Sequence, residues 1–307
     1  MNDRHLKYIL EIAKQGSITA AAENLYISQP SLSSLLAIVE EELGARIFDR
    51  SRVPLTLTCE GEQYVEAAAK ILGTIRDMQA RINDMKESIS GRFNIDCGPQ
   101  QSPFVIPQLL PVLMKKYPKV EFKFEESDQS HREKFLLNGM LDMVLTTGKI
   151  NHANVECIPV RKQEMLLFTP SDFTPPKLTP VPDRSYPCVD LGSLGPKRFV
   201  LMKKRHRIRT AQDAILNDNG YVPLTILETD NLQTCIRMVE SGFSFTLLPH
   251  IKSEMDRTRA NKYSFKDDYR QTLYLCYRRN TYYSRIMEGV INAAVELLSD
   301  EVVPNPG

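Results

Sequence analysis

Tryptophan is absent from the 307 residues, and lysine plus arginine (39) almost balance aspartate plus glutamate (38), for a formal net charge of +1. That balance excludes a global pull toward nucleic acid or an acidic surface, so any such contact must be local. Nowhere do roughly eighteen apolar residues run together, which excludes a membrane-spanning helix. The opening MNDRHLKYILEIAKQG breaks its apolar residues with Glu11 and Lys14, unlike a signal peptide, and a cytoplasmic protein with no membrane partner is expected. The six cysteines (Cys59, Cys97, Cys157, Cys188, Cys235 and Cys276) contain no C-x-x-C and no close pair. In a cytosolic chain they read as reduced, buried and inert, with a thiol redox sensor as a rival reading. Catalytic signatures are missing too. His5, His131, His152, His206 and His250 occur singly and read as structural, with no H-E-x-x-H, no Cys/His metal spacing, no G-x-S-x-G and no Gly-rich phosphate loop. No metal, no cofactor and no enzymatic activity are therefore expected, although hinged two-lobed α/β folds also house enzymes.

What is present suggests two or three folding units, at about 150 residues per domain. Leu6, Ile9, Leu10 and Ala13 line one face of a helix that Gly16 stops near Gln15. Ser17 opens a short second helix in which Ala20, Ala21, Ala22 and Leu25 permit close packing. Ser28 is placed to cap a third, with Gln29 and Pro30 in its first turn and Leu32, Leu35, Leu36, Val39 and Leu43 facing the core. Gly44 ends it. Gln29, Ser31, Ser33, Ser34 and Ala37 are left on outer faces. A helix presenting Gln and Ser at its N-terminus suits a major-groove reader, because Gln can pair bidentately with adenine and the helix end favours phosphate. An ordinary helical bundle with a polar face fits equally well. Charge does not decide, since residues 1–58 hold six basic and seven acidic side chains.

The stretch GSITAAAENLYISQPSLSSLLAIVEEELGARIFDRSRVPLTLTCEG resembles, nearly end to end, the DNA-binding signature of LysR-type transcriptional regulators. It carries the small-residue helix, S-Q-P-S-L-S, E-E-E-L-G, F-x-R and L-T-x-x-G in order. The resemblance implies a winged helix-turn-helix over residues 1–58 that binds double-stranded DNA and works with RNA polymerase at a promoter. It also implies DNA contacts from Ser17, Thr19, Ser28, Gln29, Pro30, Ser31, Ser33, Ser34, Arg50 and Arg52. Ser34 stands where the family commonly has Arg, and Leu35 and Ala37 replace frequent polar or basic residues. Fewer phosphate contacts, and a shallower salt dependence of about one logarithmic unit per lost contact, are expected.

Thr58 is placed to cap the next helix, along which Tyr64, Ala68, Ile71, Ile75, Met78, Ile82, Met85 and Ile89 recur in alternating steps of four and three. A 3.5-residue period keeps one seam toward a partner helix, so residues 59–90 read as a linker helix that makes a homodimer. The seam would be on the order of 40 Å long. A helix covering its own domain's core is the alternative. The resemblance implies pairing here and, commonly, assembly into tetramers.

From residue 91 strands and helices alternate, as in an α/β fold with a largely parallel sheet whose ligands sit beyond the carboxyl ends of the strands. Arg92 to Cys97, Val120 to Phe124 and Leu141 to Thr146 read as strands of a first unit. A second unit begins near Met165 and, at first, runs through a proline-rich loop (Pro170 to Pro187). It has strands at Arg198 to Met202, Leu224 to Leu227 and Phe243 to Leu248, and helices from Thr210 and Asp230. Thr272 to Tyr277 and a last amphipathic helix return to the first. IPQLLPVLMKKYPKVEF, LLNGMLDMVL and VESGFSFTLLP resemble the effector domain of the same family, which is similar to periplasmic solute-binding proteins. The implied domain is 91–307, with lobe I about 91–164 and 269–307 and lobe II about 165–268. Its implied effector cleft is lined by Gln100, Gln101, Ser102, Thr147, Met202, Lys203 and Thr246. Gln and Ser beside a helix N-terminus, with the basic run KRFVLMKKRHRIR at the cleft mouth, suit a carboxylate or phosphate effector. A solvated basic loop is the competing reading.

Overall fold

The computed structural model describes residues 2–86, 89–127, 129–182, 184–251, 258–279 and 281–299, with backbone alone for 129–131, so the His131 side chain lies outside the described residues. The chain opens with three helices, α1 (Asp3–Gln15), α2 (Ile18–Asn24) and α3 (Gln29–Leu43). Their ends follow local chemistry. Ser17 Oγ accepts from Ala20 N–H, Ser28 Oγ accepts from Ser31 N–H, and α1 and α3 stop at left-handed Gly16 and Gly44. Leu6, Ile9, Ile12, Ala21, Ala22, Leu32, Leu36 and Val39 form one core. Leu35 is only half-buried, and Leu43, expected on the core face, is 44% exposed at the last turn of its helix. A short hairpin of β1 (Phe48–Asp49) and β2 (Thr56–Leu57) makes the wing.

Thr58 Oγ1 accepts from Gly61 N–H at 2.9 Å and starts α4 (Cys59–Met85). The regular spacing along this helix has two separate uses. Tyr64 and Ala68, expected on a dimer seam, are buried within the chain's own head, and Ile75 packs against that core. Ile89 lies beyond the helix and packs against the core of the following sheet. Ile71, Met78, Ile82 and Met85 face outward. The core of the head reaches along α4 as far as Ile75, and the stripe residues beyond it, Met78, Ile82 and Met85, are left outward. Another side of α4 grips the body: Asp77 Oδ1 accepts from Thr281 at 2.9 Å, Asp84 Oδ2 accepts from Arg285 N–H at 3.1 Å, and Gly73 lies against Gly139.

In the body, β3 (Gly91–Cys97) is flanked in parallel by β4 (Val120–Glu125) and β5 (Met143–Thr147), joined through α5 (Ser102–Lys116) and α6 (Gln129–Leu137). The sheet is mixed rather than largely parallel. After β5 comes a 15-residue strand, β6 (Val155–Thr169), and β13 (Arg270–Arg278) inserts antiparallel between the two. Their inward residues pack with α9 (Arg285–Leu298) in the first-lobe core. The far end of β6 carries β11 (Thr246–Pro249) and β12 (Asn261–Tyr263), both antiparallel.

Thus β6 belongs to both lobes, a continuity that the expected boundary near Met165 did not foresee. The second lobe adds the parallel pair β9 (Arg198–Met202) and β10 (Leu224–Thr229), with α7 (Arg207–Asp218) and α8 (Leu232–Glu240) packed on them. Helix α7 begins three residues before the expected Thr210. The proline-rich segment contains two unforeseen two-residue strands, β7 (Leu178–Thr179) and β8 (Cys188–Val189).

Candidate functional site

Two surfaces carry the candidate residues. On the head, Thr19, Ser28, Gln29, Pro30, Ser31 and Ser34 are exposed, while Ser17 and Ser33 are half-buried. Gln29 Nε2 donates to Ser33 Oγ at 2.8 Å, and the Ser28 and Ser31 hydroxyls lie 2.8 Å apart. The first turn of α3 therefore shows a compact row of short polar groups. In the wing, Arg50 bonds Glu40 Oε2 at 2.9 Å, and Glu40 Oε1 also accepts from Ile47 N–H at 2.8 Å. Glu40 ties the wing to α3 and orients Arg50. Arg52 reaches Asp49 at 3.6 Å and is otherwise open to solvent. Tyr26, which the sequence reading passed over, is 95% exposed at a positive φ of 55° in the turn between α2 and α3. An exposed aromatic held in a left-handed turn was the overlooked signal.

The second surface is a cavity of about 1050 Å³ where the two lobes meet α4. The loop before α5 brings Gln100 and Gln101, the end of β5 brings Thr146 and Thr147, α6 brings Arg132 and Lys134, and the loop into α7 brings Arg205, His206 and Arg207. Glu66 and Lys70 reach it from α4. Gln100 clasps the lobes: its Nε2 donates to Asp230 O at 2.5 Å and its Oε1 accepts from Leu232 N–H at 3.2 Å. Gln101 is 4% exposed, and its Nε2 has no hydrogen-bond partner. A buried donor left unpaired is costly, so the cavity offers a place for an acceptor. Arg132 donates to Asp96 Oδ1 through Nε and to Ser127 O at 2.6 Å through Nη2. Those bonds hold its guanidinium in the cavity wall.

Four residues expected in the cleft lie elsewhere. Met202 and Thr246 are fully buried in the second lobe, where Thr246 Oγ1 donates to Val200 O at 2.8 Å. Ser102 is buried and donates to Glu126. Lys203 is exposed and bonds Asp230 at 2.8 Å, and it does not line the cavity. At the end of β9 the chain turns over Lys203 to His206, so Arg205, His206 and Arg207 reach the cavity while Met202 stays in the sheet. Arg205 and His206 also converge on Asp230, each at 2.8 Å. Hydrogen bonds from Lys203 and His206, together with the Arg205 charge, hold the Asp230 carboxyl down at about 2. Arg132, Lys70 and Glu66 carried no sequence signal, because tertiary folding alone brings α6 and α4 to the cleft. Among the described residues no cluster of His, Cys, Asp and Glu could hold a metal ion.

Residues 4–62 match the profile of bacterial regulatory helix-turn-helix proteins of the lysR family, and residues 86–299 match the LysR substrate binding domain. The chain belongs to the LysR family. This LysR-family protein is 25% identical over 308 aligned positions to an uncharacterized HTH-type transcriptional regulator of Bacillus subtilis, YcgK, covering 97% of this chain and 95% of that one. Its fold matches full-length OxyR from Pseudomonas aeruginosa at a TM-score of 0.69 and 23% identity, over 96% of this chain and 94% of the other. It also matches full-length CbnR in complex with its target DNA at 0.61 and 16% identity, over 97% and 99% of the chains. This LysR-family chain is thus a DNA-binding transcriptional regulator with an effector-binding domain, and its family is one of regulators rather than enzymes. Among the described residues no helix is long and apolar enough to cross a membrane.

Proposed function

We propose that this regulator reads DNA in the cytoplasm through the first turn of α3, with Gln29, Pro30, Ser31, Ser33 and Ser34 toward the major groove and Ser17, Thr19, Ser28, Arg50 and Arg52 toward the backbone. Residues 1–58 form the reading head, 59–90 the linker, and 91–307 the two-lobed sensor. Ile71, Met78, Ile82 and Met85 supply the apolar seam between two copies. The effector is a small anion, a carboxylate or a phosphate ester. The observation that carries this reading is the unpaired, buried Gln101 Nε2 in a wall shared with Arg132 and faced by Arg205 and Arg207.

Three consecutive residues link cavity to head. Ser127 lines the cavity, Glu126 accepts from Ser102, and Glu125 bonds Lys14 of α1 at 2.8 Å. An anion that draws Arg132 inward releases Ser127 O, shifts this segment and moves the Lys14 contact, which changes how the head meets DNA. Binding to the DNA upstream of the protein's own gene tests the head. A Gln29→Ala, Ser33→Ala variant should lose at least tenfold in affinity, since each good bidentate base contact is worth about 1–3 kcal/mol. A melting screen of carboxylate and phosphate metabolites tests the cavity. If only neutral compounds stabilise the protein, the anionic reading fails.

A further inference from the structure

Six cysteines scattered along the sequence suggested no close pair, but the sheet makes one. Cys157 on β6 and Cys276 on β13 are direct partners across the antiparallel ladder, 119 residues apart in sequence, with their sulfurs 2.9 Å from each other. The ladder position matters. Arg279 N–H bonds Asn154 O, three steps along the same register. Hydrogen-bonded and non-hydrogen-bonded pairs alternate, so Cys276 and Cys157 fall on a non-hydrogen-bonded pair, where Cα atoms approach to about 4.5 Å and side chains are closest. That separation lies at the short end of the range of about 4.4–6.8 Å that a disulfide spans, so the bond can form without backbone movement but under strain.

We propose that Cys157 and Cys276 are a reversible dithiol–disulfide site that locks together the two strands connecting the lobes. Cys157 is partly exposed, whereas Cys276 is fully buried. Burial and the neighbouring Cys157 push the Cys276 thiol up, so Cys157 reacts first. Hydrogen peroxide, small enough to reach a half-buried thiol, is the proposed oxidant. The Cys157 sulfur attacks the peroxide, forming an S–O bond and breaking O–O with release of water. Cys276 then attacks the sulfenic sulfur, forming S–S and releasing a second water. Two thiols and one hydrogen peroxide become one disulfide and two waters, the two electrons passing from sulfur to oxygen. A strained cross-strand disulfide is readily reduced, which makes the step reversible. The lock adjoins the sensor, because the Cys157 thiol contacts the carbonyl of Ile150, a residue of the cavity wall.

The test uses the full chain treated with hydrogen peroxide, then alkylated and mapped without reduction. The expected result is a Cys157–Cys276 linked peptide, loss of two titratable thiols, and recovery of both with reduced glutathione. Cys157→Ser should abolish the link, while Cys59→Ser, which removes the exposed thiol on α4, should leave it. Hydrogen exchange of residues 155–161 and 270–278 should slow in the oxidised protein. Oxidation that halts at Cys59, runs on to sulfinic acid at Cys157 without a link, or leaves both thiols alkylated would overturn the site. A link that glutathione cannot reduce, or that leaves exchange unchanged, would overturn the reversible lock.

Discussion

Replacing Gly61 or Gly73 by alanine makes the same chemical change in the same helix, and the structure predicts opposite signs. Intrinsic propensity favours alanine over glycine inside a helix by about 1 kcal/mol, so sequence reasoning alone predicts stabilisation at both. At Gly61, in the first turn of α4, a Cβ would stand 1.9 Å from the carbonyl oxygen of Ile47. That carbonyl accepts from Thr58 N–H at 3.0 Å, and the same Thr58 caps α4, so backbone rather than a yielding side chain blocks the methyl. Overpacking typically costs about 1–3 kcal/mol, and rigid backbone places this site at or above the upper end. Net of propensity, Gly61→Ala should destabilise the head by roughly 2–4 kcal/mol. For a unit of this size that is a fall of roughly 10 °C or more in its melting transition. At Gly73 the nearest heavy atom is Gly139 Cα at 3.6 Å, an ordinary contact, so Gly73→Ala should be neutral or gain up to about 1 kcal/mol. Thermal unfolding of the full chain, with hydrogen exchange resolving the head, reads both variants, and operator binding should fall only in Gly61→Ala. Equal effects at the two positions, or a Gly61→Ala protein as stable as its parent, would show that α4 does not press on the wing in this way.

Two further outcomes concern coupling and the cavity. Burial pushes the Glu125 carboxyl up, but the Lys14 hydrogen bond and the charges of Lys14 and Lys123 outweigh it, and its pKa lies below the ordinary value. A carboxyl depressed on folding contributes stability above its unfolded pKa that is lost as pH falls through the folded one. Lys14→Gln should therefore cost about 1 kcal/mol near pH 7, and its denaturation curve should converge on the parent's below about pH 4. A difference that persists unchanged into acid would place the effect elsewhere. Gln101→Met should leave melting unchanged or slightly higher without ligand, because an unpaired amide is replaced, and should weaken a stabilising carboxylate or phosphate by about tenfold or more. Equal ligand-induced melting shifts in parent and variant would remove Gln101 from the site.

The N-terminal head was the more legible. Ser17, Ser28 and Thr58 each cap the helix that follows them, and Gly16 and Gly44 stop α1 and α3, because caps and left-handed stops act within a few residues. The sensor was legible strand by strand, but not in its pairing. Insertion of β13 between β5 and β6 depends on contacts about 120 residues apart, which local pattern does not encode. The cavity shows the same division. Gln100, Gln101 and Thr147 sit at element ends where topology places ligands, and they line it, whereas Met202 at the end of β9 and Thr246 at the start of β11 are buried in the second lobe.

By itself the sequence determined the three-helix head, its caps, the polar first turn of α3, the family and the alternation of strands and helices in the sensor. Each rests on spacing within a few residues or on a long ordered signature. Only the tertiary structure decided which half of the α4 stripe is spent on its own core, which cations wall the cavity, and that Cys157 faces Cys276. Those outcomes depend on how segments far apart in the chain pack, since a side chain acquires its neighbours only when its element is docked.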